Sequence, residues 1–483
     1  METPNRILHT VVASLAAAAF FIFTACTAAP KADIYTTTAT ADRLFDHTRQ
    51  ALESRSRDTL PAITIDTASR LQPVYGFGAA ITGSTCYNLL RMGEADRDSL
   101  LHECFDPGRM AFSFIRISIG ASDFSLDEYT CCDRPGIEFF ELHEYDRRDL
   151  IPILKRILEI NPAVKIVASP WSCPRWMKIG YDNDRPFESW TDGRLNPMYY
   201  DDYAEYFVLW IAEMEAAGIP VYAVTVQNEP LNRGNSMSLY MGWEQQRDFI
   251  RDHLGPAFER NGIDTKIWIF DHNYNYDNIA DQQDYPLRIL ADTAAARYIA
   301  GSAWHNYGGR VETLDRIHDA CPDKEIFFTE ASIGTWNYDF GKCLVNDFAS
   351  IFLGTLNRWG RGVTLWNLLL DEKGAPNRPK GCRTCYGAIE ISSESYDYAS
   401  LVRKSHYYDI AHCSKVIAPG AVRLASASEC GEAIVSAAFA NPDGSYALVA
   451  ANLSESEQCV EITGTGRYLT LTLPPRSIVS AKW

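Results

Sequence analysis

Between residues 74 and 366, short apolar runs alternate with longer segments whose apolar residues recur every three to four positions. The runs at 74–81, 112–119, 165–168, 222–227, 266–270, 300–304, 326–329 and 362–366 read as strands. Helical spacing fills the gaps between them. It is clear at 150–159, at 200–217 (Phe207, Leu209, Ile211, Met214), and at 243–259, which ends before the helix-stopping pair Asn261-Gly262. Eight strand–helix units in a row predict an α/β fold, a (β/α)8 barrel. An open doubly wound sheet is the alternative, but the chain lacks a GxGxxG turn to support it.

After about residue 415 the helical spacing stops. Runs at 435–440, 446–452, 459–463, 468–473 and 478–483 follow one another through turns such as Asn441-Pro442-Asp443-Gly444. They predict a small antiparallel β-sandwich, with 62–66 adding a strand from before the barrel. The expected division is a leader at 1–26, a tether at 27–33, a sandwich contribution at 34–71, the barrel at 72–410 and the C-terminal sandwich at 411–483.

Barrel enzymes carry their chemistry at the carboxyl ends of the strands. Here those ends are polar. Gln227-Asn228-Glu229-Pro230 follows the fourth run, and Glu330 follows the seventh. Two carboxylates on separate strand ends are the minimal equipment for cleaving a glycosidic bond, one as acid and one as nucleophile or base. A structural ion pair for Glu229 and an edge-strand surface position for Glu330 are the plainer readings. Asp271-His272-Asn273 and His305-Asn306-Tyr307 close two further strands.

Composition narrows the field. Of 483 residues 46% are hydrophobic and 12% aromatic, with 11 Trp, enough for a large core and for faces that stack on sugar rings. A net charge of −17 and the lack of a basic run argue against nucleic acid as a partner. The expected partner is a carbohydrate. At the N-terminus Arg6 precedes an apolar stretch over 11–25 and Cys26, too short for a membrane span. Its Thr24-Ala25-Cys26 ending resembles a bacterial lipoprotein cleavage site. The expectation is export to the cell surface or periplasm, with membrane contact only through a lipid on Cys26; ordinary secretion or an uncleaved anchor is the alternative. Twelve Cys remain after Cys26. Some pairing is expected, for example of Cys131 or Cys132 with a distant partner. Cys382 and Cys385 have zinc-ribbon spacing without a second pair, so a loop disulfide or free thiols is favoured over a metal.

Seven segments in order resemble glycoside hydrolase family 30, the family of glucosylceramidases and bacterial and fungal β-1,6-glucanases. They begin with Gly76-Phe77-Gly78 through Thr82, Ile115-Arg116-Ile117-Ser118 with Ser122-Asp123-Phe124-Ser125, and Ser169-Pro170-Trp171 through Lys178. They continue with Val224 through Pro230, Phe328-Thr329-Glu330, Leu365-Trp366-Asn367-Leu368 through Pro376-Asn377, and His412-Cys413-Ser414-Lys415 running to Gly420. The chain departs at Asn306, where the family often has Trp, and at Cys173, where Pro or Ser is common. Its loops after the fourth and fifth strands look more like the bacterial β-1,6-glucanase branch than the animal lysosomal one.

The resemblance implies a retaining mechanism on β-glycosides, with Glu229 as acid/base and Glu330 as nucleophile. A pKa near the working pH is then expected for Glu229. Arg116 would point at the nucleophile, Tyr307 would bond it, and Asn228 would hold the sugar 2-OH. Asp123 and Asn377 would bind sugar hydroxyls, with a helix cap as the other reading of Asp123. Trp171 and Trp366 would wall the sugar site or else be barrel core; His305 is a site residue or a packed, satisfied histidine. Trp304 and Trp336 are weaker candidates. No cofactor or metal is required. The leading expectation is a retaining hydrolase of β-1,6-glucan. A glucosylceramidase-like or β-xylosidase/β-glucosidase exo-enzyme is the alternative, and a non-catalytic glycan-binding lipoprotein is disfavoured because both Glu are present. The C-terminal sandwich, poor in exposed-looking aromatics beyond Tyr446, Tyr468 and Trp483, is expected to be structural.

Overall fold

Eight parallel strands form one sheet in the computed structural model, which describes residues 30–57 and 59–483. They are β1 (Gly76–Ala79), β2 (Phe114–Ile119), β3 (Lys165–Pro170), β4 (Ala223–Thr225), β5 (Lys266–Asn273), β6 (Ile299–His305), β7 (Glu325–Glu330) and β8 (Gly360–Leu365). The order β1-β8-β7-β6-β5-β4-β3-β2 leaves one seam, between β1 and β2. Backbone bonds from Ser113 N–H to Phe77 C=O (3.0 Å) and from Ile81 N–H to Arg116 C=O (2.9 Å) close it. All eight predicted strands are present.

The barrel interior is filled from the bottom by aromatic rings. Phe114, Val167, Ala223, Trp268, Ala303 and Phe327 form a separate buried cluster, with the Trp268 and Phe327 rings stacked at 4.1 Å. Successive side chains on a strand point to opposite faces, so two residues on from each plug position the chain points inward again. On four strands that step leads from Phe114 to Arg116, Val167 to Ser169, Ala223 to Thr225 and Phe327 to Thr329; on β6 it leads from Ala303 to His305. One strand layer therefore switches from apolar plug to polar floor.

The step fails on β5. Two residues after Trp268 comes Phe270, yet Phe270 packs outside the barrel against Tyr285 and Trp304. Phe270 and Asp271 have φ of 74° and 60°, and the register with β6 slips between Phe270 and His272. Positive φ in a bulky residue is costly and persists only where surroundings impose it. The bulge rotates Asp271 into the interior, a placement that the alternation pattern does not predict.

Nine further strands make one sheet folded into a sandwich beside the barrel. It includes Lys31–Thr38, Asp46–Ala51 and the long strand Ala62–Val74 as well as the C-terminal strands. Alternation serves two cores at once. Ala438, Leu448, Ala450, Val479 and Ala481 face the sandwich interior, while Ala437, Phe439, Ala447, Val449, Ala451 and Ile478 join the barrel's outer core. The first strand begins at Lys31 and pairs with Ser477–Lys482, so part of the predicted tether is sheet. The predicted boundary at 411 also moves. Helix Ser405–Ser414 runs through it, buried at every residue between barrel and sandwich. The predicted leader and Cys26 lie outside the described residues. Among the described residues no helix is long and apolar enough to cross a membrane.

Of the Cys named in the sequence reading, Cys382 and Cys385 form a disulfide. Cys131 and Cys132 are free instead. Each is enclosed beside an oxygen rather than another sulfur: Cys131 Sγ lies 3.6 Å from Asp146, and Cys132 Sγ 3.2 Å from the Gly136 carbonyl.

His412 joins the two domains. From the buried helix its ring nitrogens reach Ser480 Oγ and Thr37 Oγ1, each at 2.8 Å. Burial with no anion beside it pushes its pKa down to about 3. The unfolded chain then binds the extra proton first as pH falls, so this histidine's contribution is complete above about pH 6.5 and declines below it. From pH 6.5 to 4.5 the loss is about 2–3 kcal/mol, at about 1.4 kcal/mol per pH unit. Denaturant melts at the two pH values should show that loss in the native protein and a visibly smaller one in His412→Asn. An equal acid loss in both would refute the assignment.

Candidate active site

The site rises from the polar floor. Arg116, from β2, is fully buried at the barrel axis. Its Nη1 donates to Glu330 Oε2 at 2.5 Å, and its Nη2 to Asp271 Oδ2 and Asn228 Oδ1, both at 2.7 Å. Trp171 and Trp366 stack on each other at 4.9 Å, and each ring lies about 5 Å from the guanidinium. Burial alone would depress the arginine's pKa; the charges of Asp271 and Glu330 more than restore it.

Asp271 is the hub that the sequence reading left out of its site residues. Its Oδ2 accepts from Arg116, Ser169 Oγ (2.9 Å) and Thr225 Oγ1 (2.6 Å), and its Oδ1 from Thr329 Oγ1 (2.7 Å) and His305 Nε2 (3.0 Å). These donors come from β2, β3, β4, β6 and β7. Burial opposes its ionisation, but Arg116 and His305 overcome it and hold the carboxyl far below the usual range. Its backbone carbonyl also accepts the Glu229 N–H at 2.9 Å. Glu229 itself has φ 44°, a left-handed conformation imposed at the strand end. The only sequence signal for Asp271 was its position directly after an apolar run.

The two Glu open into one cavity of about 660 Å³, lined also by Asp123, His272, Tyr307, Trp336, Trp366 and Lys380. Glu330 Oε1 accepts from Tyr307 Oη at 3.0 Å. Glu229 Oε1 lies 3.2 Å from His305 Nδ1, and its Oε2 accepts from Asn232 Nδ2 at 2.7 Å. Burial pushes the Glu229 carboxyl up, yet the His305 bond and the charges of His272 and His305 outweigh it and hold it below the usual range. This departs from the expected near-neutral value. The proton resides instead on His305, which burial would discharge but which Glu330, Asp271 and Glu229 raise to about 9. The ring spans Glu229 and Asp271, so His305 is no idle packing residue.

Asp123 follows β2 in a loop and caps no helix. Its carboxyl lines the cavity, with Oδ1 buried and without a hydrogen-bond partner. Burial, then repulsion from Glu330 and Glu229, raises its pKa well above the ordinary value. A neutral carboxyl can donate as well as accept. The loop that carries Asn377 wraps Asp123, with Arg378 N–H on the Asp123 carbonyl at 2.8 Å and Gly381 packed where a Cβ would strike Asp123. Asn377 itself does not join the site. Its Nδ2 donates to Gly374 C=O (2.8 Å) within its own turn, and Lys380 and Gly381 line the cavity in its place. Trp171 lies behind Trp366, 1% exposed and away from the cavity lining. Trp304 is core. Trp336 stands at the rim, 54% exposed, beside Tyr307 at 47%.

The models of the glycosyl hydrolase family 30 TIM-barrel domain and of its beta sandwich domain match residues 74–417 and 420–481. The chain belongs to glycosyl hydrolase family 30. It is a glycoside hydrolase. The solved structure of the endo-beta1,6-glucanase BT3312 is 50% identical with a TM-score of 0.91, covering 94% of this chain and 99% of that one. Endo-1,6-beta-D-glucanase BGN16.3 of Trichoderma harzianum is 30% identical, over 85% of this chain and 84% of its own. Putative glucosylceramidase 1 of Caenorhabditis elegans is also 30% identical, over 93% and 88%. The family barrel thus ends past residue 410, in agreement with the buried helix.

If the His305–Glu229 pair carries the catalytic proton, removing the Asp271 charge weakens its hold. Asp271→Asn should draw the alkaline limb of kcat/KM below that of the native enzyme, with circular dichroism unchanged. An unmoved limb in a folded variant would separate Asp271 from the proton.

Proposed function

We propose that the protein is a retaining endo-β-1,6-glucanase acting through a covalent glycosyl-enzyme. The observation that carries the substrate is the likeness to BT3312, at 50% identity over nearly the whole of both chains. The exposed Trp336 and Tyr307 support an open rather than a sealed site, since they extend the cavity outward with faces on which further glucosyl units can stack.

Glu330 attacks the anomeric carbon. Arg116 and Tyr307 hold one oxygen each, which orients the carboxylate for attack. The proton for the leaving oxygen starts in the Glu229–His305 bond. It passes from His305 Nδ1 to Glu229 Oε1 and then to the departing sugar hydroxyl. Covalent capture of Glu330 removes one of the charges that held the proton on His305. The pair's proton affinity falls, and Glu229 is left ionised to take a proton from water in the second step. Asn228, its Oδ1 fixed by Arg116, presents its amide N–H to the 2-OH. Asp123 and Trp366 hold the reacting ring from the other side.

The leader supports delivery to the cell surface or periplasm on a Cys26 lipid. Loss of membrane association in Cys26→Ala is the expected result.

Product analysis on β-1,6-glucan beside glucosylceramide tests the substrate. Short gluco-oligosaccharides with intact lipid are expected; glucose from the lipid with intact polymer would replace this reading with the glucosylceramidase one. Glu330→Gln should lose about three orders of magnitude or more in kcat, in line with removal of a nucleophile. Substantial residual hydrolysis would refute the nucleophile. Glu229→Ala should slow poor leaving groups far more than activated aryl glucosides, and equal loss on both would count against it as the acid.

A further inference from the structure

Beside the acid/base carboxylate lies a histidine that the hydrolytic steps do not use. His272, one residue after the bulge on β5, is 1% exposed and reaches the cavity wall. Neither of its ring nitrogens makes a hydrogen bond, and Nδ1 sits 3.7 Å from Glu229 Oε1, too far for one. His305 Nδ1 approaches the same oxygen at 3.2 Å. One ligand atom from each of Glu229, His272 and His305 lies within 4.8 Å of the others. We propose that His272 Nδ1, His305 Nδ1 and Glu229 Oε1 form a binding site for a zinc-class divalent transition-metal ion.

Three observations carry the assignment. The first is spacing. Tetrahedral ligands at ~2.0–2.1 Å from zinc stand ~3.3–3.4 Å apart, and the 3.2 Å and 3.7 Å separations from Glu229 Oε1 bracket that value. Small side-chain rotations complete the set.

The second is backing. A metal-bound histidine is oriented by a carboxylate on its far nitrogen. Here His305 Nε2 lies 3.0 Å from Asp271 and His272 Nε2 lies 2.6 Å from Asp277. The spare oxygen of Glu229 is held by Asn232. His305 and Glu229 thus have their other polar atoms hydrogen-bonded, and His272 has a carboxylate within ion-pair distance of its far nitrogen.

The third is the donor type. Two imidazoles and one carboxylate suit zinc, nickel or copper rather than calcium or magnesium, which prefer all-oxygen shells. The fourth position faces the cavity, open to water or a sugar hydroxyl.

The ion and the catalytic proton compete for one place. A metal on Glu229 Oε1 and His305 Nδ1 displaces the proton between them, so a loaded enzyme has no acid for the leaving group. Binding therefore switches hydrolysis off. This consequence, unlike the site itself, rests on the proposed role of Glu229.

Titration calorimetry with zinc chloride on untagged, chelator-stripped protein, followed by elemental analysis, tests the site. One equivalent is expected. Asp277→Asn should weaken it roughly 10–100-fold, as outer-shell losses do, and His272→Ala should weaken it at least as much. His272→Gln serves if the Ala variant does not fold. No binding, or equal binding by native protein and variants, would overturn the site. Hydrolysis of an aryl β-glucoside, assayed with zinc and again after EDTA, separates the two readings. Reversible inhibition in native enzyme, weaker in Asp277→Asn, is expected. Zinc bound through these residues without inhibition would leave the site standing and overturn Glu229 as the acid.

Discussion

A guanidinium with no exposure to water, set on the axis of a closed barrel, is tolerable only if anions surround it. Arg116 meets Asp271 below and Glu330 above, and every strand that contributes a partner is thereby fixed relative to β2. Taking one partner away leaves an uncompensated buried charge, a loss on the order of 3–5 kcal/mol. The cluster is therefore a constraint on the whole barrel top. It also shapes the site, because the same guanidinium that balances Asp271 holds one oxygen of Glu330 in place.

Asp271 reaches this position through a local distortion. The bulge at Phe270 and Asp271 sends the ring outward into the helix layer and the carboxylate inward. Strain in the backbone is offset by five side-chain donors from five strands. From that point the influence spreads two ways. Through its bond to His305 it helps keep that imidazole charged, and through its carbonyl it fixes the backbone of Glu229. Carboxyl groups in one site are thus driven in opposite directions. Asp271 and Glu229 are held as anions by the cations beside them, while burial and like charge drive Asp123 towards the neutral acid.

The rest of the fold supports this site at a distance. Each central strand of the sandwich sends alternate residues into two cores, so the sheet cannot shift by one residue without exposing both sets. The helix Ser405–Ser414 fills the seam, and His412 ties it to two sandwich strands. On the cavity side the Cys382–Cys385 disulfide braces the loop that encloses Asp123.

Hydrophobic periodicity by itself determined the eight barrel strands, the change to an antiparallel sandwich and the strand-end positions of Glu229 and Glu330, because burial of apolar faces dictates all three. Arg116 was legible as a candidate because a motif segment carries it, and His305 and Tyr307 because they close a strand. What only the tertiary structure decided depends on contacts between distant strands. A two-residue period placed Phe270 inside, and only the bulge, imposed by five remote donors, exchanged it for Asp271. Asn377 stood in a recognisable motif, yet its own turn claimed its amide. The strand beginning at Lys31 was hidden because its partner, Ser477–Lys482, lies at the far end of the chain. The proton's place on His305 likewise follows from three carboxylates brought by β4, β5 and β7, a sum of charges that no local pattern records.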